Sequence, residues 1–170
     1  MRLRVGILTV SDRSSQGTRP DASGPVLQDT VIASGWQVQH MDIVPDEFDI
    51  ITRTLASWSD SEQYDVILTT GGTGFSPRDI TPEATLSITT RLAPGLAEAM
   101  RAESLKITAH AMLSRAVAGI RGTTLIVNLP GSPKAARENL EVILPVLPHA
   151  VQLLQQNKDA EEGHQLHHAD

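Results

Sequence analysis

Three short apolar runs, Leu3 to Val10, Tyr64 to Thr70 and Thr123 to Leu129, each stop at a cluster of turn-forming residues. Runs of that length with little polar alternation suit strands buried on both faces, and such strands need helices on either side of their sheet. The clusters that follow are Ser11-Asp12-Arg13-Ser14-Ser15-Gln16-Gly17, Gly71-Gly72-Thr73-Gly74 and Pro130-Gly131-Ser132-Pro133. Gly24-Pro25 predicts a helix with proline at its first position, running through Val26 and Val31 to a stop at Gly35. Trp36 to Val44 reads as a further strand. Beyond Pro45-Asp46, the steps of Phe48, Ile51, Leu55 and Trp58 predict a helix with one buried stripe. Thr81-Pro82-Glu83 opens another helix, and Pro94 to Lys106 a third with Leu96, Met100 and Leu105 inward. Ala136, Leu140, Ile143, Leu147, Val151 and Leu154 keep a helical stripe that Pro145 and Pro148 should kink or split, because an interior proline lacks an amide donor.

Strand and helix in alternation predict a three-layer α/β/α fold with a mainly parallel sheet. Its consequence is geometric: strand-to-helix loops emerge together at the carboxyl edge. Residues 11–24, 45–46, 71–81 and 130–132 should therefore share one rim, where ligands bind in such folds. At 170 residues the chain reads as a single domain over 1–156, followed by an acidic, histidine-containing tail over 157–170. His164, His167 and His168 in that tail suggest adventitious metal affinity rather than a built site.

Composition narrows the function. A net charge of -6 and a 3% aromatic share argue against nucleic acid as a partner, through either phosphate attraction or base stacking. The same charge disfavours an anionic membrane, and no run is long enough to span one. With no cysteine there is no disulfide, thiolate metal site or thiol nucleophile; a reducing cytoplasmic setting fits.

Thr69 to Asp79 is the most informative loop. Glycines bare backbone amides, threonines add hydroxyls, and a helix start lies just beyond, which suits an anion. It carries neither the Gly-Lys-Ser/Thr of a P-loop nor a G-x-G-x-x-G fingerprint. Taken singly, Ser132 and Asp46 read as helix N-caps and Asp12 as a turn residue. Convergence changes this reading. Asp46 and Asp79 would meet phosphate-binding amides and the cations Arg13, Arg78 and Lys134, and carboxylates beside phosphates call for a bridging Mg²⁺. His40 and His149 read as partly buried, His110 has no acidic neighbour in sequence to make it a base, and no G-x-S-x-G elbow marks a serine nucleophile.

Val10-Ser11-Asp12-Arg13, Ile43 to Glu47, Thr69 to Gly74, Pro77 to Thr85, Met112-Leu113-Ser114-Arg115 and Asn128 to Ser132 resemble, in order, the motifs of the MogA/MoaB family. These are the molybdopterin adenylyltransferases that also occur as the G domain of gephyrin, and the likeness runs to about Gln155. The resemblance implies a homotrimer and a step of molybdenum cofactor biosynthesis. In that step the terminal phosphate of molybdopterin takes AMP from Mg-ATP and pyrophosphate leaves. It implies that Asp46 and Asp79 are the catalytic carboxylates, with Asp79 foremost for Mg²⁺. Gly71, Gly72, Thr73 and Gly74 would cradle phosphate, Arg78 would neutralise charge, and Ser11, Asp12, Ser114, Pro130, Gly131 and Ser132 would line the pterin and nucleotide pocket. A downstream molybdenum insertase becomes a candidate partner. The alternative is a non-catalytic, MoaB-like pterin carrier.

Overall fold

A computed structural model of the chain describes residues 1–155. Its elements are β1 (Arg4–Val10), α1 (Asp12–Ser15), α2 (Ser23–Ala33), β2 (Gln37–Val44), α3 (Phe48–Asp60), β3 (Val66–Thr70), α4 (Thr81–Ile88) and β4 (Arg91–Leu92). They continue with α5 (Pro94–Leu105), a 3₁₀ turn (Ala109–Leu113), β5 (Ala118–Arg121), β6 (Thr124–Leu129), α6 (Pro133–Ile143) and α7 (Leu147–Leu154). The acidic tail expected over 157–170 lies outside the described residues.

The sheet has six strands in the order β2-β1-β3-β6-β5-β4. β1, β2, β3 and β6 run parallel; β5 is antiparallel to β6, and β4 to β5. Alternate residues of the central strands feed two cores, as the pleat requires. Val5 and Ile7 of β1, Val66 and Leu68 of β3, and Leu125 and Val127 of β6 pack with Leu27, Met100 and Leu140 of α2, α5 and α6. Leu8, Ile67 and Ile126 face the other way, onto Ile51 and Leu55 of α3 and Ala84 and Ile88 of α4. The three layers expected from the sequence are present.

Several local details differ from the sequence expectations. α2 begins at Ser23, two residues before Pro25, because Asp21 Oδ1 accepts from the backbone N–H of both Ser23 and Gly24 at 3.1 Å. Pro25 still falls in the first turn, where a missing N–H costs nothing. Asp46 does not cap α3; Glu47 holds that position. Phe48 and Leu105, expected inside, are 41% and 45% exposed, since each lies at a helix end where the stripe runs out beyond the sheet. His40 is exposed on edge strand β2, its ring set edge-on to Trp58 at a centroid distance of 5.3 Å. α6 and α7 are the two helices into which the prolines split the last stripe.

β4 and β5 carry no apolar run and were not expected. β5 pairs with β6 through the two-residue turn Gly122-Thr123, where Gly122 takes a φ of 57°. On the α4 side, Asn128 Nδ2 donates to Thr69 Oγ1 and Thr85 Oγ1, each at 2.9 Å. This fully buried amide ties the ends of β3 and β6 to α4 directly beneath the carboxyl edge.

Candidate active site at the carboxyl edge

The four loops do meet. They enclose a polar cavity of about 650 Å³ that is lined by Ser11, Asp12, Arg13, Asp46, Gly71, Gly72, Arg78, Asp79, Gly131 and Ser132. Thr73, Gly74, Ser114 and Pro130, expected in the same pocket, instead line a neighbouring, mostly apolar cavity of about 290 Å³. The division falls within consecutive residues. Gly71 and Gly72 border one cavity, Thr73 and Gly74 the other, so the glycine loop is their common wall, and Pro130-Gly131 divides in the same way.

The path of that wall depends on its glycines. Gly71 has a φ of 98°, and a Cβ there would stand 2.3 Å from the Val10 carbonyl oxygen. Gly72, at a φ of 65°, would bring a Cβ to 2.3 Å from Thr81 Oγ1 and 3.1 Å from Asp46 Oδ1. The loop is fastened to α4, because Thr81 N donates to the Gly72 carbonyl at 3.1 Å and Thr81 Oγ1 to the Gly71 carbonyl at 2.9 Å. The Gly71 N–H donates to the Leu129 carbonyl at 3.2 Å, so the expected four-residue cradle has one donor spent within the protein.

Asp12 and Asp46 are joined reciprocally. The Asp12 N–H donates to Asp46 Oδ2 at 2.8 Å, and the Asp46 N–H to Asp12 Oδ1 at 3.0 Å. Neither the turn role expected of Asp12 nor the cap role considered for Asp46 describes this: the pair staples the end of β1 to the end of β2. Arg78 reaches over them, donating from Nε and Nη2 to Asp12 at 3.0 and 2.9 Å and from Nη2 to Glu47 at 2.9 Å. That guanidinium holds the Asp12 carboxyl below the usual carboxylate range. Burial pushes the Asp46 carboxyl up, and the charges of Asp12 and Asp79 push the same way. Asp12 is neutralised by Arg78, which leaves Asp46 and Asp79 to repel across one cavity, the setting a divalent cation relieves.

The signs of the two shifts are opposite in their effect on stability. Asp12, lowered by folding, contributes stability above its unfolded pKa that is lost as pH falls through the folded value. Asp46, raised by folding, contributes fully below its unfolded pKa, and the contribution is lost as pH rises through the folded value. Asp46→Asn keeps an oxygen to accept from Asp12 N–H and removes the desolvated charge. It is therefore expected to be more resistant to urea than the wild type at pH 7, with the advantage gone below about pH 4. Urea titrations at both pH values read this directly; a gap independent of pH would contradict it.

Asp79 accepts from the Ser76 N–H at 2.9 Å, and its own N–H donates to the Ser76 carbonyl at 2.8 Å, closing a tight turn. Among the described residues no group of three His, Cys, Asp or Glu could hold a metal ion. Mg²⁺ is commonly held by one or two carboxylates together with substrate phosphates, so the donor set formed by Asp46 and Asp79 fits that ion and would not suit an all-protein cage. Ser132 stands at the N-cap position of α6, yet among the described residues its side chain makes no capping bond. The capping reading fails there, and an unengaged hydroxyl at a helix N-terminus lines the polar cavity. Lys134 turns onto its own helix, 3.8 Å from Glu138.

Sequence reasoning missed Thr9 and, within the loops it placed at the rim, did not single out Arg19, Asp21, Thr70 or Ser76, all of which line the polar cavity. The signal for Asp21 was available, since an aspartate just before Ser23-Gly24-Pro25 is placed to cap a helix. It missed Arg101, Ser104 and Asn139 in the apolar cavity as well; His110, passed over as a base, also lies there.

Residues 6–149 match the family described as "Probable molybdopterin binding domain". The chain is 44% identical over 156 residues to a molybdopterin adenylyltransferase of Helicobacter pylori, covering 89% of this chain and 88% of that one. It is 49% identical over 153 residues to the molybdenum cofactor synthesis protein cinnamon of Drosophila melanogaster; those residues are 89% of this chain and only 26% of cinnamon. Among solved structures, the molybdopterin biosynthesis enzyme MoaB of Thermus thermophilus superposes with a TM-score of 0.86 at 52% identity, covering 91% of this chain and 98% of that one.

Proposed function

The chain belongs to the molybdopterin-binding family, and on that premise we propose that it is a molybdopterin adenylyltransferase of molybdenum cofactor biosynthesis. The terminal phosphate oxygen of molybdopterin forms a new bond to the α-phosphorus of ATP. The bond from that phosphorus to the oxygen bridging to the β-phosphate breaks, and pyrophosphate leaves. The observation that carries this reading is the meeting of Asp46, Asp79, the glycine loop and the start of α6 at one polar cavity, with a second cavity across a shared wall. Two adjoining compartments suit two substrates whose reacting phosphates must meet between them.

Mg²⁺, when bound, would neutralise phosphate charge and polarise the α-phosphoryl group. Asp46 and Asp79 would hold it. Gly72, Gly131 and Ser132 would orient the phosphates, while Ser11 and Asp12 would line the substrate pocket beside them. Thr73, Gly74, Ser114 and Pro130 would line the second compartment. No histidine or cysteine base is needed, because a phosphate monoester is already an anion near pH 7. Residues 1–156 act as the single functional unit. Exposed Leu92, Ile107 and Met112, each at least 60% accessible, supply apolar surface for assembly into a homotrimer. Among the described residues no helix is long and apolar enough to cross a membrane. A cytoplasmic enzyme handing its product to a molybdenum insertase completes the proposal.

The test is pyrophosphate release from ATP, with and without Mg²⁺ and with and without molybdopterin. Release that requires both supports the transferase. Binding of molybdopterin with no release at any Mg²⁺ concentration would instead make the chain a carrier. Light scattering in solution tests the trimer, and a monomer mass would refute it.

A further inference from the structure

Arg115 follows Ser114 in the chain and is bound to residues 73–79 by a backbone bond and two side-chain bonds, and to α4 by an ion pair. Its backbone N–H donates to the Thr73 carbonyl at 2.9 Å, and Nε donates to the Gly74 carbonyl at 2.7 Å. Nη2 donates to the Asp79 carbonyl, and Nη1 pairs with Glu83 in the first turn of α4. Gly74 and Asp79 are the two ends of the segment that carries Ser76, Arg78 and Asp79 to the polar cavity. One planar guanidinium therefore closes that segment at its base, while Arg78 latches it from the cavity side onto Asp12 and Glu47. The rigid guanidinium fork presents Nε and Nη2 to the two carbonyls in one fixed plane, an arrangement that a freely rotating ammonium does not preorganise.

We propose that Arg115 is a positioning residue, setting Asp79 relative to Asp46 by clamping both ends of the 74–79 segment. Its catalytic consequence rests on the adenylyl-transfer reading above; its mechanical consequence does not. The arrangement also explains why a cation outside the substrate cavities should matter to turnover. Without the clamp, the Gly74 and Asp79 carbonyls lose their partner and the segment can hinge on Gly74, which has no side chain to restrict it and where a Cβ would stand 2.9 Å from Asp79 Oδ2. A displaced Asp79 carboxylate would meet the phosphates in the wrong place.

Three variants test this, read by turnover, molybdopterin affinity, melting temperature and amide exchange. Arg115→Ala is expected to lower kcat about 100-fold with little change in molybdopterin affinity, the loss typical of a group misplaced by an ångström. Arg115→Lys should recover roughly tenfold of it by holding one carbonyl at a time. Glu83→Gln removes the ion pair, leaves both carbonyl bonds in place and should keep wild-type turnover. Amide hydrogen exchange across residues 74–80 reads the clamp in nucleotide-free protein, with no reaction required. It should accelerate about tenfold or more in Arg115→Ala and remain at the wild-type rate in Glu83→Gln. Equal losses of turnover and melting temperature in Arg115→Ala and Glu83→Gln, with segment exchange unchanged, would overturn the proposal. Faster exchange with undiminished kcat would overturn it too. If the wild type itself releases no pyrophosphate, the transferase reading fails, and the exchange data alone decide whether Arg115 clamps the segment.

Discussion

Asp79→Asn is expected to lower adenylyl transfer about 1,000-fold while leaving the protein folded and able to bind molybdopterin. This side chain has two tasks. One is local: an Asp79 oxygen accepts from the Ser76 N–H and closes the 76–79 turn. An asparagine oxygen does the same, so the turn survives and the melting temperature should hardly move. The other task needs charge. Asp79 shares the polar cavity with Asp46, and in the proposed reaction only an anion at both positions would give Mg²⁺ a two-carboxylate seat beside the phosphates. Asparagine removes that anion without removing the oxygen. Pyrophosphate release at saturating molybdopterin, with Mg²⁺ varied, measures the effect, and calorimetric binding of molybdopterin checks that the variant still takes that substrate. If the variant retains more than about a tenth of wild-type kcat, Asp79 is not a metal-bearing catalytic residue.

Gly71→Ala is expected to be the most destabilising of the loop substitutions, at about 2–4 kcal/mol. Two costs coincide there. A φ of 98° is a conformation that a Cβ disfavours, and that Cβ would lie 2.3 Å from the Val10 carbonyl oxygen. The obstructing atom is backbone at the end of β1, whose neighbour Thr9 is held opposite Thr70 by the parallel ladder, so it cannot retreat without unzipping β1 from β3. Gly72→Ala meets Thr81 Oγ1 instead, a side-chain atom that can rotate away at the expense of its bond to the Gly71 carbonyl. Gly17→Ala shares a positive φ of 72° but meets no atom of the described residues within 4 Å, and should cost about 1 kcal/mol. Urea midpoints at constant m-value should rank the three in that order. Equal midpoints for Gly71→Ala and Gly17→Ala would mean that the backbone collision relaxes and only the φ penalty remains.

Much of the architecture was legible because it depends on properties that neighbouring residues carry together. A short unbroken apolar run bounded by turn residues suits a strand covered on both faces, and the runs ending at Val10, Thr70 and Leu129 became the three central strands. Pro145 and Pro148 lack the amide that one continuous helix would need, and the chain breaks at residues 144–146, with Pro148 in the first turn of α7. β4 and β5 were illegible for the converse reason: a two-residue strand and a four-residue strand containing Gly119 have no period to read, and they exist only because β6 offers an edge to pair with.

The site divides along the same line. Which loops share the rim follows from βα order alone, since parallel strands put every strand-to-helix loop at one edge. Sequence therefore determined the cast: Asp12, Asp46, Asp79, Arg78 and the glycines of residues 71–74. It could not determine their pairings. That Asp46 staples Asp12 instead of capping α3, that Arg78 spans Asp12 and Glu47, that the glycine loop parts two cavities, and that Arg115 holds the loop from outside are contacts between residues remote in the chain. Such contacts are set by where the packed layers bring each loop and by which donor is left without a partner there, quantities that exist only once the sheet and its two helical layers have closed on one another.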